Sequence, residues 1–296
     1  MVVYFAKKRY ILFTMKVVFF GTPDLSVPFL EALTNEPDFE VVAVITQPDR
    51  PVGRKQILTP SPVKELAVSK NIPVFQPENL KKDQSLHGSD IAIVVAYGKI
   101  IPQTILNIPR LGCVNVHPSL LPKYRGPSPI QTAIMNNDKE TGISIMLLDA
   151  GMDSGPLLAQ ETFPVEADET QESLTEKIKK IGPTLLIKTL RAYAAGKILP
   201  QPQDKSKVEI CKMLDRDSGR IDWTRSTAEI NAQVRALHPW PGCWTTFERG
   251  GKIFRLKILK TKIEAGKLVL LEVQPEGRSP MSFEEFERGY GKVEMK

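Results

Sequence analysis

The chain of 296 residues, 42% hydrophobic and 25% charged, has the balance of a globular protein with room for a large core and, by length, for two domains. No apolar run approaches the roughly eighteen residues of a membrane span, and three scattered cysteines without metal-ligand spacing argue against a disulfide framework and for a reducing, cytoplasmic setting. The net charge of +6 sits at the two ends: residues 15–200 hold 19 bases against 20 acids, residues 1–14 three bases and no acid, and residues 201–296 18 against 14.

Such a distribution suits an anionic partner held beside a neutral central region, and equally a solvated basic surface. Residues 1–14 lack both serine and a small-residue cleavage site, so they read as an N-terminal extension outside the fold. From Lys16, short apolar strands alternate with helical stretches. A strand over 16–20 ends in Gly21-Thr22-Pro23-Asp24, where Asp24 is expected to cap a helix running toward Leu33. A strand over 41–46, a helix over 61–70 with Pro62 in its first turn, and a short strand at 74–75 follow. Residues 91–96, IAIVVA, are apolar throughout, as a parallel strand covered on both faces requires.

Next come a strand over 113–117, a helix over 130–135 and a strand over 143–148. The succession predicts an α/β fold with a Rossmann-like, doubly wound, mostly parallel sheet, and a site at the carboxyl ends of its strands. Leu174, Ile178, Ile181 and Leu185 stand at helical spacing and place a helix over 170–195, which Pro183 should kink or divide. Residues 197–206, polar and carrying Pro200 and Pro202, read as the linker to a second module.

Asn115 and His117, two residues apart, share one face of a predicted strand end, and Asp153 lies in a glycine-punctuated turn after the next strand. An amide, an imidazole and a carboxylate suit acyl transfer: a donor for an oxyanion, a proton carrier, and a charge that tunes the carrier. By spacing alone each also has an ordinary role, as a strand-end histidine, a loop-capping asparagine and a turn aspartate. Gly21-Thr22-Pro23 lacks the spaced glycines of a dinucleotide fingerprint, which disfavours a nicotinamide cofactor.

The wider pattern is more specific. Asn115-x-His117-Pro118-Ser119-Leu120-Leu121-Pro122, then Lys123-Tyr124-Arg125-Gly126, then Asp149-x-Gly151-x-Asp153-x-Gly155, resembles the folate-dependent formyltransferases. From Met15 onward the chain is similar to the methionyl-tRNA formyltransferases within that superfamily, with Pro118 where many of them carry glycine. The resemblance implies transfer of the formyl group of 10-formyltetrahydrofolate to the amino group of methionine on initiator methionyl-tRNA. It implies no metal, no membrane partner, and a monomer. Asn115 would then donate to the oxyanion, His117 would act charged or partly charged as stabiliser and proton carrier, and Asp153 would hold the imidazolium. Ser119, Leu120, Leu121 and Pro122, with Tyr97, Gly98 and Asp149, would contact the folate.

The stretch 47–64 separates the sub-families. Its Arg50, Arg54, Lys55 and Lys64 stand against Asp49 alone in a loop punctuated by Gly and Pro, built for phosphates and an unpaired RNA end. It resembles the acceptor-stem loop of the tRNA-acting members, and Arg50, Arg54 and Lys55 are the implied tRNA contacts. The enzyme-class alternative, formylation of a nucleotide-linked amino sugar, lacks use for such a loop. His238-Pro239-Trp240-Pro241-Gly242 resembles the signature of the family's small OB-like β-barrel, here shortened by about two strands. The implied division is an extension over 1–14, a catalytic domain over 15–199, a linker over 200–209 and a tRNA-binding C-terminal domain over 210–296.

Overall fold

The structure, a computed structural model, describes residues 14–53, 55–80 and 88–291. Arg54 and, apart from Thr14, the expected N-terminal extension lie outside them. The chain gathers into two compact units that interleave in sequence: Met1–Val116 with Leu147–Ala150 and Pro183–Leu199, and His117–Met146 with Gly151–Gly182 and Pro200–Lys296.

The first unit begins with β1 (Met15–Gly21), α1 (Val27–Asn35) and β2 (Phe39–Ile45). A small hairpin, β3 (Arg50–Val52) and β4 (Ile57–Thr59), leads to α2 (Pro62–Ser69) and β5 (Val74–Phe75). Then follow β6 (Ile91–Val95), α3 (Gln103–Leu106) and β7 (Cys113–His117), whose last residue falls in the second unit. β5, β2, β1, β6 and β7 pair in parallel in that order. Val17, Val18, Phe19 and Phe20 are all fully buried, which only a strand covered on both faces allows.

The chain path runs outward from β1 through β2 to β5 and then returns across β1 to β6. That reversal leaves a crevice at the carboxyl ends of β1 and β6, the place where open α/β sheets bind ligands. Two hydroxyls tie its rims: Thr22 Oγ1 donates to the Tyr97 carbonyl (3.1 Å) and Ser26 Oγ to the Val95 carbonyl (2.6 Å). Asp24 does not cap α1. It opens a 3₁₀ turn, Asp24–Ser26, and Ser26 precedes the helix, because Pro28 is tolerated only in the first helical turn and so sets the start later. Ser61 caps α2 by accepting the Lys64 backbone N–H at 3.1 Å.

The second unit holds α4 (Pro129–Met135) and the antiparallel pair β8 (Glu140–Leu147) and β9 (Leu157–Pro164). α5 (Gln171–Ala194) continues through Pro183 as one helix, so the expected division is absent, although the two units change over at that residue. α6 (Thr227–Leu237) starts on a capping box, Ser226 with Glu229, and packs on α4.

Four antiparallel strands end the chain in the order β10 (Cys243–Arg249), β11 (Lys252–Glu264), β12 (Lys267–Pro275) and β13 (Met281–Ser282). α7 (Phe283–Tyr290), capped by Ser282 and Glu285, follows. Its Phe286 and Tyr290 rings meet Phe247 of β10 edge-on, with centroids 5.3 and 5.7 Å away. A four-stranded sheet with an aromatic helix face packed on it thus stands where a shortened OB-like barrel was expected. Full burial of Phe286 contributes about 2–3 kcal/mol.

Candidate active site

β7 carries two polar residues in an otherwise apolar strand. Asn115 (9% exposed) pairs in register with Val94 of β6, and His117 (4% exposed) follows two residues later on the same strand face. His117 Nε2 lies 2.9 Å from the Tyr124 carbonyl, which can only accept, so Nε2 carries the proton. The neutral ring therefore presents a bare Nδ1. That atom lies 3.7 Å from Asp153 Oδ2, too long for a direct hydrogen bond but close enough for strong charge coupling.

Burial pushes the His117 imidazole below its ordinary range, while the Asp153 carboxylate and the Tyr124 carbonyl pull the other way. Burial outweighs them, so the imidazole is harder to protonate than an ordinary histidine, which works against the wholly or partly charged ring expected from the sequence. Asp153 has its own support. Oδ2 accepts the Gly126 backbone N–H at 2.8 Å, and the residue sits at φ +48°, a left-handed conformation unusual outside glycine. The glycine at 126 has a physical cause: its φ is +115°, and a Cβ there would lie 2.7 Å from the Cys211 carbonyl oxygen.

Tyr124, also left-handed at φ +61°, turns its carbonyl to His117, and its ring is anchored separately. Its hydroxyl donates to Asp138 (2.8 Å) and accepts from Asn136 (2.8 Å), while Lys123 pairs with the same Asp138 at 2.9 Å. The motif Lys123-Tyr124-Arg125-Gly126 was legible in the sequence, but Asp138 and Asn136 had no signal of their own.

The Ser119 to Pro122 loop is pinned from within. Ser119 Oγ donates to the Lys123 carbonyl (2.6 Å), Leu121 N–H donates to Ser144 Oγ (3.0 Å), and Gln160 Nε2 donates to the Leu121 carbonyl (2.9 Å). Ser119 and Leu121 are buried, and their backbone polar groups are bonded within the second unit. Ser144 and Gln160 were missed because they belong to β8 and β9, whose pairing is not readable locally.

In the first unit, Tyr97 is buried with its ring edge-on to Phe20, and its carbonyl accepts from Gln47 Nε2 at 2.8 Å. Gly98 is required next to it: at φ +78°, a Cβ would meet Gln47 Nε2 at 2.6 Å. Asp149 is exposed.

The basic stretch is a hairpin, with Arg50 opposite Thr59 and Val52 opposite Ile57. Arg50 and Lys55 are exposed, as are Val52, Ile57 and Leu58. Arg50 donates to Gln47 Oε1. Lys64 departs from the expected free cation: it pairs with Asp49 at 2.7 Å and donates to Gln76 Oε1 at 2.9 Å, which holds the Asp49 carboxyl below its usual range. Burial pushes the Cys113 and Cys243 thiols up to about 12, which removes them as nucleophiles. Among the described residues no group of three or more His, Cys, Asp or Glu side chains is gathered to hold a metal.

Residues 15–190 match the Formyl transferase family and residues 213–267 match Formyl transferase, C-terminal domain. The chain belongs to the formyl transferase family. Two curated relatives are a methionyl-tRNA formyltransferase of Roseiflexus sp. (strain RS-1), 42% identical over 93% of this chain and 92% of its own, and one of Pseudoalteromonas translucida (strain TAC 125), 40% identical over 93% and 94%. Solved structures share the fold. The Helicobacter canadensis N-formyltransferase, in complex with folinic acid and dTDP-3-aminofucose, superposes with a TM-score of 0.64 at 20% identity, covering 84% of this chain and 88% of that one. The Clostridium thermocellum methionyl-tRNA formyltransferase gives 0.59 at 18% identity, covering 88% and 98%. In this formyl transferase, Asn115, His117 and Asp153 all fall within the matched stretch 15–190.

Proposed function

We propose that this chain transfers the formyl group of 10-formyltetrahydrofolate to the α-amino group of methionine on initiator methionyl-tRNA, in the cytoplasm. The observation that carries the reading is the 42% identity, over nearly the whole of both chains, to a protein of that activity. The neutral His117 beside Asp153 supplies a workable chemistry, and the exposed basic hairpin supplies a surface for an RNA end.

The amine nitrogen attacks the formyl carbon and the carbonyl electron pair moves onto oxygen, where the Asn115 amide donates a hydrogen bond. The nitrogen, now an ammonium, gives its proton to His117 Nδ1. The imidazolium so formed is stabilised by the Asp153 carboxylate and by the Tyr124 carbonyl on Nε2. As the oxyanion collapses, the carbon–N10 bond breaks and the proton passes from His117 to N10. Tetrahydrofolate and the formamide leave, and the ring is neutral again.

The folate contacts of this reading are Tyr97, Gly98, the Ser119 to Pro122 loop and Asp149. The tRNA contacts are Arg50, Arg54 and Lys55, with residues 210–296 as the second tRNA-binding domain. The test is incubation with 10-formyltetrahydrofolate and charged initiator tRNA, followed by detection of formylmethionine. Formylation of a nucleotide-linked amino sugar, with charged tRNA left untouched, would establish the alternative acceptor instead.

A further inference from the structure

Gln203 lies in the polar stretch that reads as a linker, yet it is only 8% exposed and its amide is fully engaged. Nε2 donates to the backbone carbonyls of Asp153 and Gly155, each at 2.8 Å. Oε1 accepts from Arg125 Nε at 3.0 Å and Nη2 at 2.8 Å. The partners determine which end is which, because the carbonyls can only accept and the guanidinium can only donate. Two donors and two acceptor sites are thus all satisfied, so the side chain has one orientation and no spare bond for water.

The arrangement closes a ring around the carboxylate. Gln203 grips the backbone of Asp153 on one side and Arg125 on the other, and Gly126, next after Arg125, donates its N–H to Asp153 Oδ2. Asp153 adopts a left-handed backbone that an L side chain seldom takes, so the turn needs outside support to keep its shape. We infer that Gln203 is a positioning residue for formyl transfer: it fixes the Asp153 turn against Arg125-Gly126 so that the carboxylate stands beside His117. The inference rests on the reading that Asp153 acts on His117 during the reaction.

Two variants separate this role from a merely structural one. Gln203→Leu keeps the approximate volume and removes all four bonds. Gln203→Glu keeps an acceptor for Arg125 but sets carboxylate oxygens against the two carbonyls. With the full chain, 10-formyltetrahydrofolate and charged initiator tRNA, each is expected to lower kcat by about 10²-fold, the scale for a misplacement near 1 Å, with KM for both substrates unchanged.

The acid limb of the pH profile should move down, as in Asp153→Asn. Gln203→Leu combined with Asp153→Asn should lose no more than Asp153→Asn alone, because both act through one group. Losses that multiply in the double variant, or a wild-type kcat and pH profile in Gln203→Glu, would overturn the inference while leaving the Asp153 reading intact. Full turnover by Asp153→Asn would instead overturn that reading and this inference with it. Should Gln203→Leu fail to fold, the same comparison is made with Gln203→Glu, alone and combined with Asp153→Asn.

Discussion

The Tyr124 carbonyl accepts the Nε2–H of His117 at 2.9 Å, and this one bond decides which ring nitrogen can do chemistry. With Nε2 committed to a backbone acceptor, only Nδ1 can exchange a proton in the reaction, and it faces Asp153. The tautomer is imposed by the main chain, so it survives side-chain changes at position 124 as long as the turn keeps its shape.

Loss of either polar group on β7 should therefore lower turnover while sparing donor affinity. His117→Ala and Asn115→Ala are each expected to reduce kcat by about 10²-fold or more, the usual scale for a proton carrier or one oxyanion donor. Steady-state kinetics with folate titrations on the same variants check this. A variant at Asn115 with normal kcat would show that the oxyanion is held by something else.

The pH dependence follows from the depressed His117 pKa. Catalysis needs the neutral ring, so the acid limb of kcat/KM should lie below the ordinary histidine value of about 6.5. Asp153→Asn removes the group that raises this pKa, so the limb should move to still lower pH, at reduced kcat. Stability follows the same sign. Above the unfolded-state pKa the group imposes no penalty, and as pH falls from there toward the lower folded value the unfolded chain binds more protons and stability is lost. Urea melts of wild type and His117→Gln across that window would show a shallower acid loss in the variant.

Gly126→Ala should damage both stability and rate. The residue holds φ +115°, and the added Cβ would crowd the Cys211 carbonyl, so a cost of about 1–3 kcal/mol is expected from strain alone. Because the Gly126 N–H also holds Asp153, kcat should fall more than the folded fraction does. Chemical denaturation paired with kinetics corrected for that fraction separates the two effects.

The hairpin offers the clearest test of the acceptor. Arg50→Ala, Arg54→Ala and Lys55→Ala are expected to weaken tRNA binding without changing folate affinity. Each should lower the slope of log affinity against log salt by roughly 0.7 to 0.9 for every phosphate that is no longer neutralised. Lys64→Ala should leave that slope alone, since Lys64 is already paired with Asp49. Filter binding of charged initiator tRNA at several salt concentrations distinguishes them. Unchanged tRNA affinity in all three would favour a small amine as acceptor.

Much of the architecture was legible because the cues are local. The apolar runs of β1, β6 and β7, Pro62 after Ser61 at the start of α2, and the helical spacing in α5 each report their own burial or cap within a few residues. So did the motif around His117 and Asp153, since the residue types that suit acyl transfer stand at two predicted strand ends. β9 was not legible: Gln160, Glu161 and Thr162 run exposed through its middle and break the alternation, and it becomes a strand only because β8 is beside it. The same holds for β3 and β4, whose exposed residues carry no burial pattern and are held by cross-strand bonds alone. Charge counting likewise placed Lys64 among the free cations, whereas folding brings Asp49 and Gln76 to it. The residue types at positions 115, 117 and 153 were written in the chain, but the downward push on the ring's pKa comes from burial, its tautomer from the Tyr124 carbonyl, and the Asp153 turn is gripped by Gln203 from fifty residues away. Each of those depends on which distant groups share a small volume from which water is excluded, and no local pattern in the sequence encodes that.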